Sequence, residues 1–229
     1  MAFTTPLSRL QAWARRLAPS HGRASFDPGG PEFGARRREL VAAISQLSEA
    51  NARLHREART DALTGLRNRR ALAELEHTVL GTPACPWHEA AILFIDIDRF
   101  GDFNHLYGDQ AGDAALARVA QALVQAGRET DAVFRKGGEE FVVILADAAD
   151  VTAKVAERYR DAVAALAIPH SANGRGILTA TIGVVAARPG MRIERCLIAA
   201  GNAVMAAKLG GRRDCVFYPD VIDGEVLPG

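Results

Sequence analysis

Two acidic clusters in this chain are spaced so that they could share one cation. Glu139 and Glu140 follow Gly137 and Gly138 and precede Phe141, between the strand-like runs Ala132-Val133-Phe134 and Phe141 to Leu145. Runs of this kind joined through Gly-Gly read as a tight β-hairpin, because both glycines accept φ > 0 without a Cβ clash. Adjacent carboxylates at its tip are costly unless a cation neutralises them. Upstream, Ala90 to Ile95 is a continuous apolar run of strand length that ends in Asp96-Ile97-Asp98. Such a run suits a strand buried on both faces. If it pairs beside the hairpin, Asp96 and Glu139 come within reach of one ion. Carboxylates without His or Cys neighbours suit Mg2+ or Mn2+ rather than zinc, and Mg2+ is often held by one or two carboxylates plus substrate phosphates. A plain solvated hairpin and a turn-capping Asp96 are the alternatives.

The elements that must position these groups alternate. Helical patterns cover 69–80, 112–126, 150–166 and 192–208; strand patterns cover 90–95, 131–135, 141–146, 177–186 and 214–218. An antiparallel hairpin within a crossover-connected sheet predicts an α+β fold, a ferredoxin-like, palm-type βαββαβ core with helices on one face of a mixed, mainly antiparallel sheet.

With these motifs together, the chain resembles the GGDEF-domain diguanylate cyclases, which make cyclic di-GMP from two GTP molecules. The resemblance runs from Asp61-Ala62-Leu63-Thr64-Gly65-Leu66-Arg67-Asn68 to about Tyr218. It takes in Asp96 to Phe100, Asn104, Gly108, Gly112-Asp113, a GGEEF form of the hairpin, Ile182-Gly183-Val184, and Ala207-Lys208 with Gly211-Arg212. It implies the same palm-like fold. It also implies that Asp96, the backbone carbonyl of Ile97, and Glu139 hold Mg2+ (or Mn2+) around the GTP phosphates. Backbone amides near Arg99 and Phe100 would form a phosphate nest. The glycines Gly137 and Gly138 would admit the substrate closely. Lys208 and Arg212, four apart and taken to share a helical face, would grip the terminal phosphates, a solvated helix end being the alternative. Asn104 and Asp113 match the guanine-recognising positions; Asp113 can accept from guanine N1–H and N2–H2, or cap a helix beginning near Ala114. The implied reaction is attack of one 3′-hydroxyl on the α-phosphorus of a second GTP, with Glu139 as the general base or hydroxyl-positioning group and Glu140 as its alternate. Arg128 and Asp131 match the family's product-inhibition motif, with Arg158 reaching the same ligand; the alternative is a surface ion pair.

Two positions depart from the family pattern. Gly101 stands where a Lys is usual and Asp109 where a His is usual. Arg99 and Lys136 are the cations that would compensate. The departures leave a rival reading, a weak or inactive domain that acts as a cyclic di-GMP receptor, and a third, a scaffold working through its N-terminal helices.

Composition sets the remaining expectations. The chain has 229 residues, 48% of them hydrophobic, and a formal net charge of +1. Residues 1–60 carry 10 Lys and Arg against 5 Asp and Glu, whereas the rest carry 18 against 22. An acidic half that must bind triphosphates argues for metal mediation, and against a nucleic-acid polymer as partner. Cys85, Cys196 and Cys215 form neither a metal motif nor an even disulfide set, and no apolar run approaches the ~20 residues of a membrane span, so a cytoplasmic enzyme is expected. Leu7, Leu10, Trp13, Ala14 and Leu17 form a short basic amphipathic stretch, read as a packed helix with a membrane or partner surface as the alternative. With the Pro- and Gly-rich linker that follows, it makes up segment 1–34. A coiled-coil helix is expected over 35–60 and the catalytic domain over 61–229. Leu40, Ile44, Leu47, Asn51, Leu54 and Ala58 trace an a/d seam suited to a parallel homodimer.

Overall fold

The structure, a computed structural model, describes residues 31–82, 85, 87, 90–146, 152–218, 221–222 and 225–226. The amphipathic stretch 7–17 and most of the linker lie outside the described residues. The chain divides into two units, 1–52 and 53–229.

Helix α1 (Pro31–Glu57) runs across that division. It starts four residues before the expected boundary at Ala35, because Pro31 sits at the first helical position, where its missing N–H would have no partner anyway. Leu40, Ile44, Leu47 and Leu54 are each 54–70% exposed. Asn51 is exposed as well, and Ala58 lies one residue past the helix end.

The second unit contains α2 (Arg69–Glu76), β1 (Ala90–Ile97), α3 (Phe100–Tyr107), α4 (Asp109–Ala126), β2 (Ala132–Gly137), β3 (Glu140–Ala146), α5 (Thr152–Ala164), β4 (Ala180–Ala187), α6 (Ile193–Leu209) and β5 (Val216–Phe217). Short strands β6 (Val221–Ile222) and β7 (Glu225–Val226) pair with each other. The main sheet has the order β2-β3-β1-β4-β5, with only the β4–β5 pair parallel. This is the expected βαββαβ plan with an added edge strand. β1 lies at its centre, antiparallel to both β3 and β4.

The expectation of helices on one face needs correcting. Leu93, Ile95 and Ile97 of β1 pack with Leu116, Val119 and Leu123 of α4 and Tyr159 and Val163 of α5. Ile92 and Phe94, pointing the other way, pack with Leu72 of α2 and Ile193, Leu197 and Val204 of α6. A strand that is apolar at consecutive positions needs cover on both sides. α2 and α6 provide the second layer.

α3 was not legible as a helix. It is eight residues long, too short for a clear helical period, and Gly108 at φ 83 separates it from α4. α4 in turn begins at Asp109 rather than 112, which places Asp113 inside the first turns. The helix-cap alternative for Asp113 is therefore wrong.

Candidate active site

β1 and the β2–β3 hairpin meet at one end of the sheet. Asp96 lies opposite Glu140 in the β1–β3 register and opposite Thr181 in the β1–β4 register. One residue on, the Ile97 amide donates to the Glu139 carbonyl at 3.4 Å. The turn itself is Gly138-Glu139, since Gly137 still pairs with Glu140. Both glycines take positive φ as expected, Gly137 at 156 and Gly138 at 52, but the turn pair is shifted by one residue from Gly-Gly to Gly138-Glu139. The shift puts Glu139 at the tip.

Sequence reasoning missed what holds the tip. Arg135 donates from Nε and Nη2 to the Gly138 carbonyl, at 3.0 and 2.9 Å, and from Nη1 to Asp61 Oδ1 at 3.0 Å. Asp61 also accepts from the Thr64 amide and hydroxyl, at 2.9 and 2.7 Å. Burial works to raise the Asp61 pKa, but these Thr64 bonds and the Arg135 pair outweigh it and hold the carboxyl below its ordinary value. The Asp61–Arg135 clamp gives the Asp61-to-Asn68 motif a structural role. An Arg six residues before β3's second residue was the available signal.

The two glutamates differ. Glu140 is engaged by Lys136 at 3.0 Å, and the Lys136 ammonium also lies 4.6 Å from the centre of the Phe94 ring. Asp96 has its pKa raised: burial dominates, the Lys208 bond and charge oppose it, and the nearby charges of Glu139 and Glu140 add to it. Lys208 reaches Asp96 from the last turn of α6 and lies 3.6 Å from Asp98. Arg212 does not share its helical face, contrary to expectation. α6 ends at Leu209, Gly211 takes φ 74, and the Arg212 guanidinium sits 4.5 Å from the centre of the Phe217 ring. The glycine pair turns the chain off the helix axis before Arg212.

Arg99 and Phe100 begin α3. Arg99 takes φ 54 and ψ 36, with no side-chain cap on the amides that follow. The buried His170 holds this turn through a 3.1 Å contact between its Nε2 and the Arg99 carbonyl. The Phe100 side chain belongs to the core, so only its backbone faces this end. Further along α3, Asn104 Oδ1 is buried without a hydrogen-bond partner. A Cβ at Gly112 would lie 1.9 Å from that oxygen, so only glycine leaves room for the Asn104 side chain. Asp113 is the next residue and is exposed. Gly112 thus seats the Asn104 side chain against α4, one residue before the exposed Asp113.

The remaining positions fall elsewhere. Gly101 is exposed in the first turn of α3, with open space where a side chain would project. The two cations expected to compensate each face a carboxylate: Arg99 pairs with Asp102 at 3.3 Å and Lys136 with Glu140 at 3.0 Å, both in half-exposed pairs. The Arg128 amide, rather than its guanidinium, binds Asp131 Oδ2 at 2.7 Å. Both residues line a groove with Arg67, Val124 and Val133. Tyr159 donates to Asp131 at 3.4 Å, and Arg158 beside it on α5 is exposed.

The donor set fits a hard cation. Asp96 and Glu139 offer carboxylate oxygens, Ile97 adds a backbone carbonyl, and Lys208 already places one positive charge on Asp96. Among the described residues no three His, Cys, Asp or Glu side chains form a metal cage.

The sheet order and the acidic hairpin beside β1 are those of the palm-like α+β plan expected from the sequence. Residues 58–214 match the family described as "Diguanylate cyclase, GGDEF domain". The chain belongs to this family. It is 34% identical over 182 residues to the diguanylate cyclase DosC of Escherichia coli K12, and 32% identical over 180 residues to DgcM of the same strain. These matches cover 76% of the chain but only 38% and 42% of the relatives. Among solved structures, the coiled coil and GGDEF domain of Caulobacter crescentus DgcB, in complex with c-di-GMP, superposes with a TM-score of 0.65 at 29% identity, covering 81% of this chain and 98% of that one. Pseudomonas aeruginosa SiaD, in complex with its activator SiaC, gives 0.60 at 27%, covering 93% and 78%. Among the described residues no helix is long and apolar enough to cross a membrane.

Proposed function

We propose that this chain is a diguanylate cyclase that condenses two GTP into cyclic di-GMP and pyrophosphate. The observation that carries the reading is the meeting, at one end of β1, of Asp96, Glu139 and Lys208. Family membership supports the substrate. The unpartnered Asn104 acceptor beside Asp113 suits the N–H edge of guanine, which adenine lacks.

Asp96, the Ile97 carbonyl and Glu139 would hold Mg2+ or Mn2+, which when bound neutralises phosphate charge and lowers the pKa of the attacking hydroxyl. Asn104 and Asp113 orient the base. The amides following Arg99 receive phosphate oxygens. Lys208, and Arg212 from beyond the helix end, take the terminal phosphates. Glu139 sits at the tip to accept the 3′-hydroxyl proton, because Lys136 holds Glu140 aside.

Each domain supplies half a site, so two chains must face each other. The exposed stripe of α1 supports a parallel homodimer through segment 35–60, which raises the effective concentration of the two halves. The solved complex of SiaD with its activator supports a protein partner as a further input.

Purified protein incubated with GTP, ATP and Mg2+ is expected to give cyclic di-GMP alone, resolved by chromatography and identified by mass. Mainly mixed GMP–AMP product would overturn the guanine assignment. GTP left intact while cyclic di-GMP binds tightly would favour the receptor reading.

Product feedback is the second part of the proposal. Arg128 belongs to a turn fixed by its own amide on Asp131, which Tyr159 of α5 also reaches, and DgcB's solved complex with c-di-GMP supports a product site on such domains. In progress curves, initial rates are expected to fall as product accumulates. Arg128→Ala should relieve that fall while leaving the initial rate within about twofold, as is usual for a surface change away from the chemistry. Full inhibition retained in the variant would reduce Arg128 to a surface residue.

A further inference from the structure

Lys208 stands between two unequal carboxylates. Asp98 is wholly buried and accepts hydrogen bonds from the Thr179 and Thr181 hydroxyls, both at 2.7 Å, and from the Asp214 amide at 2.9 Å. Thr179 is itself fixed by Asn173 Nδ2 at 2.8 Å. These bonds hold the Asp98 carboxylate between the end of β1, the start of β4 and the turn after α6. Asp96, by contrast, has Lys208 as its hydrogen-bond partner and faces the negative charges of Glu139 and Glu140. The Lys208 ammonium bonds Asp96 and stays 3.6 Å from Asp98.

We propose that Lys208 is a built-in competitor for the divalent-cation position at Asp96, tethered by Asp98, so that cation entry and release of the ammonium toward a nucleotide's phosphates form one event. The inference rests on Asp96 being a metal ligand. Two cations on one carboxylate repel each other, and Lys carries a compact charge on a flexible stem that can swing a few ångströms. Asp98 keeps the displaced ammonium at the site. It is a positioning residue that acts through Lys208. Thermodynamic linkage then makes the effect mutual: triphosphate, by drawing Lys208 away, raises cation affinity, and the cation raises triphosphate affinity by the same factor. Without nucleotide, Lys208 keeps the acidic site neutralised.

The test is Mn2+ binding to the full chain, read from the electron paramagnetic resonance signal of the free ion, with and without a non-hydrolysable GTP analogue. Without nucleotide, Lys208→Met is expected to bind Mn2+ about tenfold more tightly than wild type, since a half-buried ion pair no longer has to be broken. Lys208→Arg, which keeps the charge, should not tighten binding. Lys136→Met removes a positive charge from the same cleft without touching Asp96, and should shift affinity by less than about threefold. Adding the analogue should tighten Mn2+ binding to wild type more than to Lys208→Met. Melting curves of all variants verify folding. Equal Mn2+ affinity in wild type and Lys208→Met, or an equal gain from Lys136→Met, would overturn the competitor role while leaving Asp96 as a ligand. Absence of Mn2+ binding to wild type even with the analogue would remove Asp96 as a ligand, and this proposal with it.

Discussion

Glu139→Gln is expected to lower the rate of cyclic di-GMP formation by about 10³-fold, within the range for loss of a positioned acid–base group. Glu140→Gln is expected to cost about tenfold at most, a factor worth 1.4 kcal/mol. The asymmetry comes from the hairpin: Gly138, at φ 52, lets the turn close as Gly138-Glu139, which leaves Glu139 at the tip. Glu140 is drawn onto Lys136 at 3.0 Å, over the Phe94 ring. Both substitutions keep side-chain volume and hydrogen-bonding capacity, so melting temperatures should stay close to that of wild type. Steady-state assays at saturating GTP and Mg2+ measure the two variants side by side. Equal losses would mean that the carboxylates act as a pair and that the register does not separate their roles.

Gly101→Lys is expected to raise kcat by about 10²-fold, the reverse of losing one well-placed electrostatic contact. Family members usually carry Lys at this position, as the sequence resemblance indicates. The backbone of Gly101 is not in the left-handed region, and the space its side chain would enter is open. Arg99 and Lys136, the other cations nearby, each pair with a carboxylate, Asp102 and Glu140. Gly101 lies in the first turn of α3, where an added cation faces the positive end of the helix, so the melting temperature should change little. Unchanged kcat in the folded variant would show that the transition state has no need of a cation at Gly101.

The sequence by itself carried the chemistry and the plan. The apolar run ending at Asp96, the Gly-Gly interruption before the glutamates, and the alternation of helical and strand periods are local patterns. Backbone preference and burial impose them within a few residues, so they can be read along the chain. The βαββαβ order follows, with the hairpin antiparallel and β1 beside it. What depends on contacts between distant residues could not be read. The turn moved by one residue because Gly137 pairs with Glu140 across the ladder, and Arg135 fixes the result by linking Gly138 to Asp61, 74 residues away from it in the chain. Arg212 left the expected helical face because Gly211 reverses the chain there. α3 is too short to show a period, and its guanine-side residue Asn104 depends on the space left by Gly112 on the next helix. Lys208 meets Asp96 across 112 residues of sequence. Residue type and spacing specify which groups are present and how the backbone prefers to run. Which of two adjacent glutamates is free, and which lysine lies on which aspartate, is decided only when the strands pair and the helices close over them.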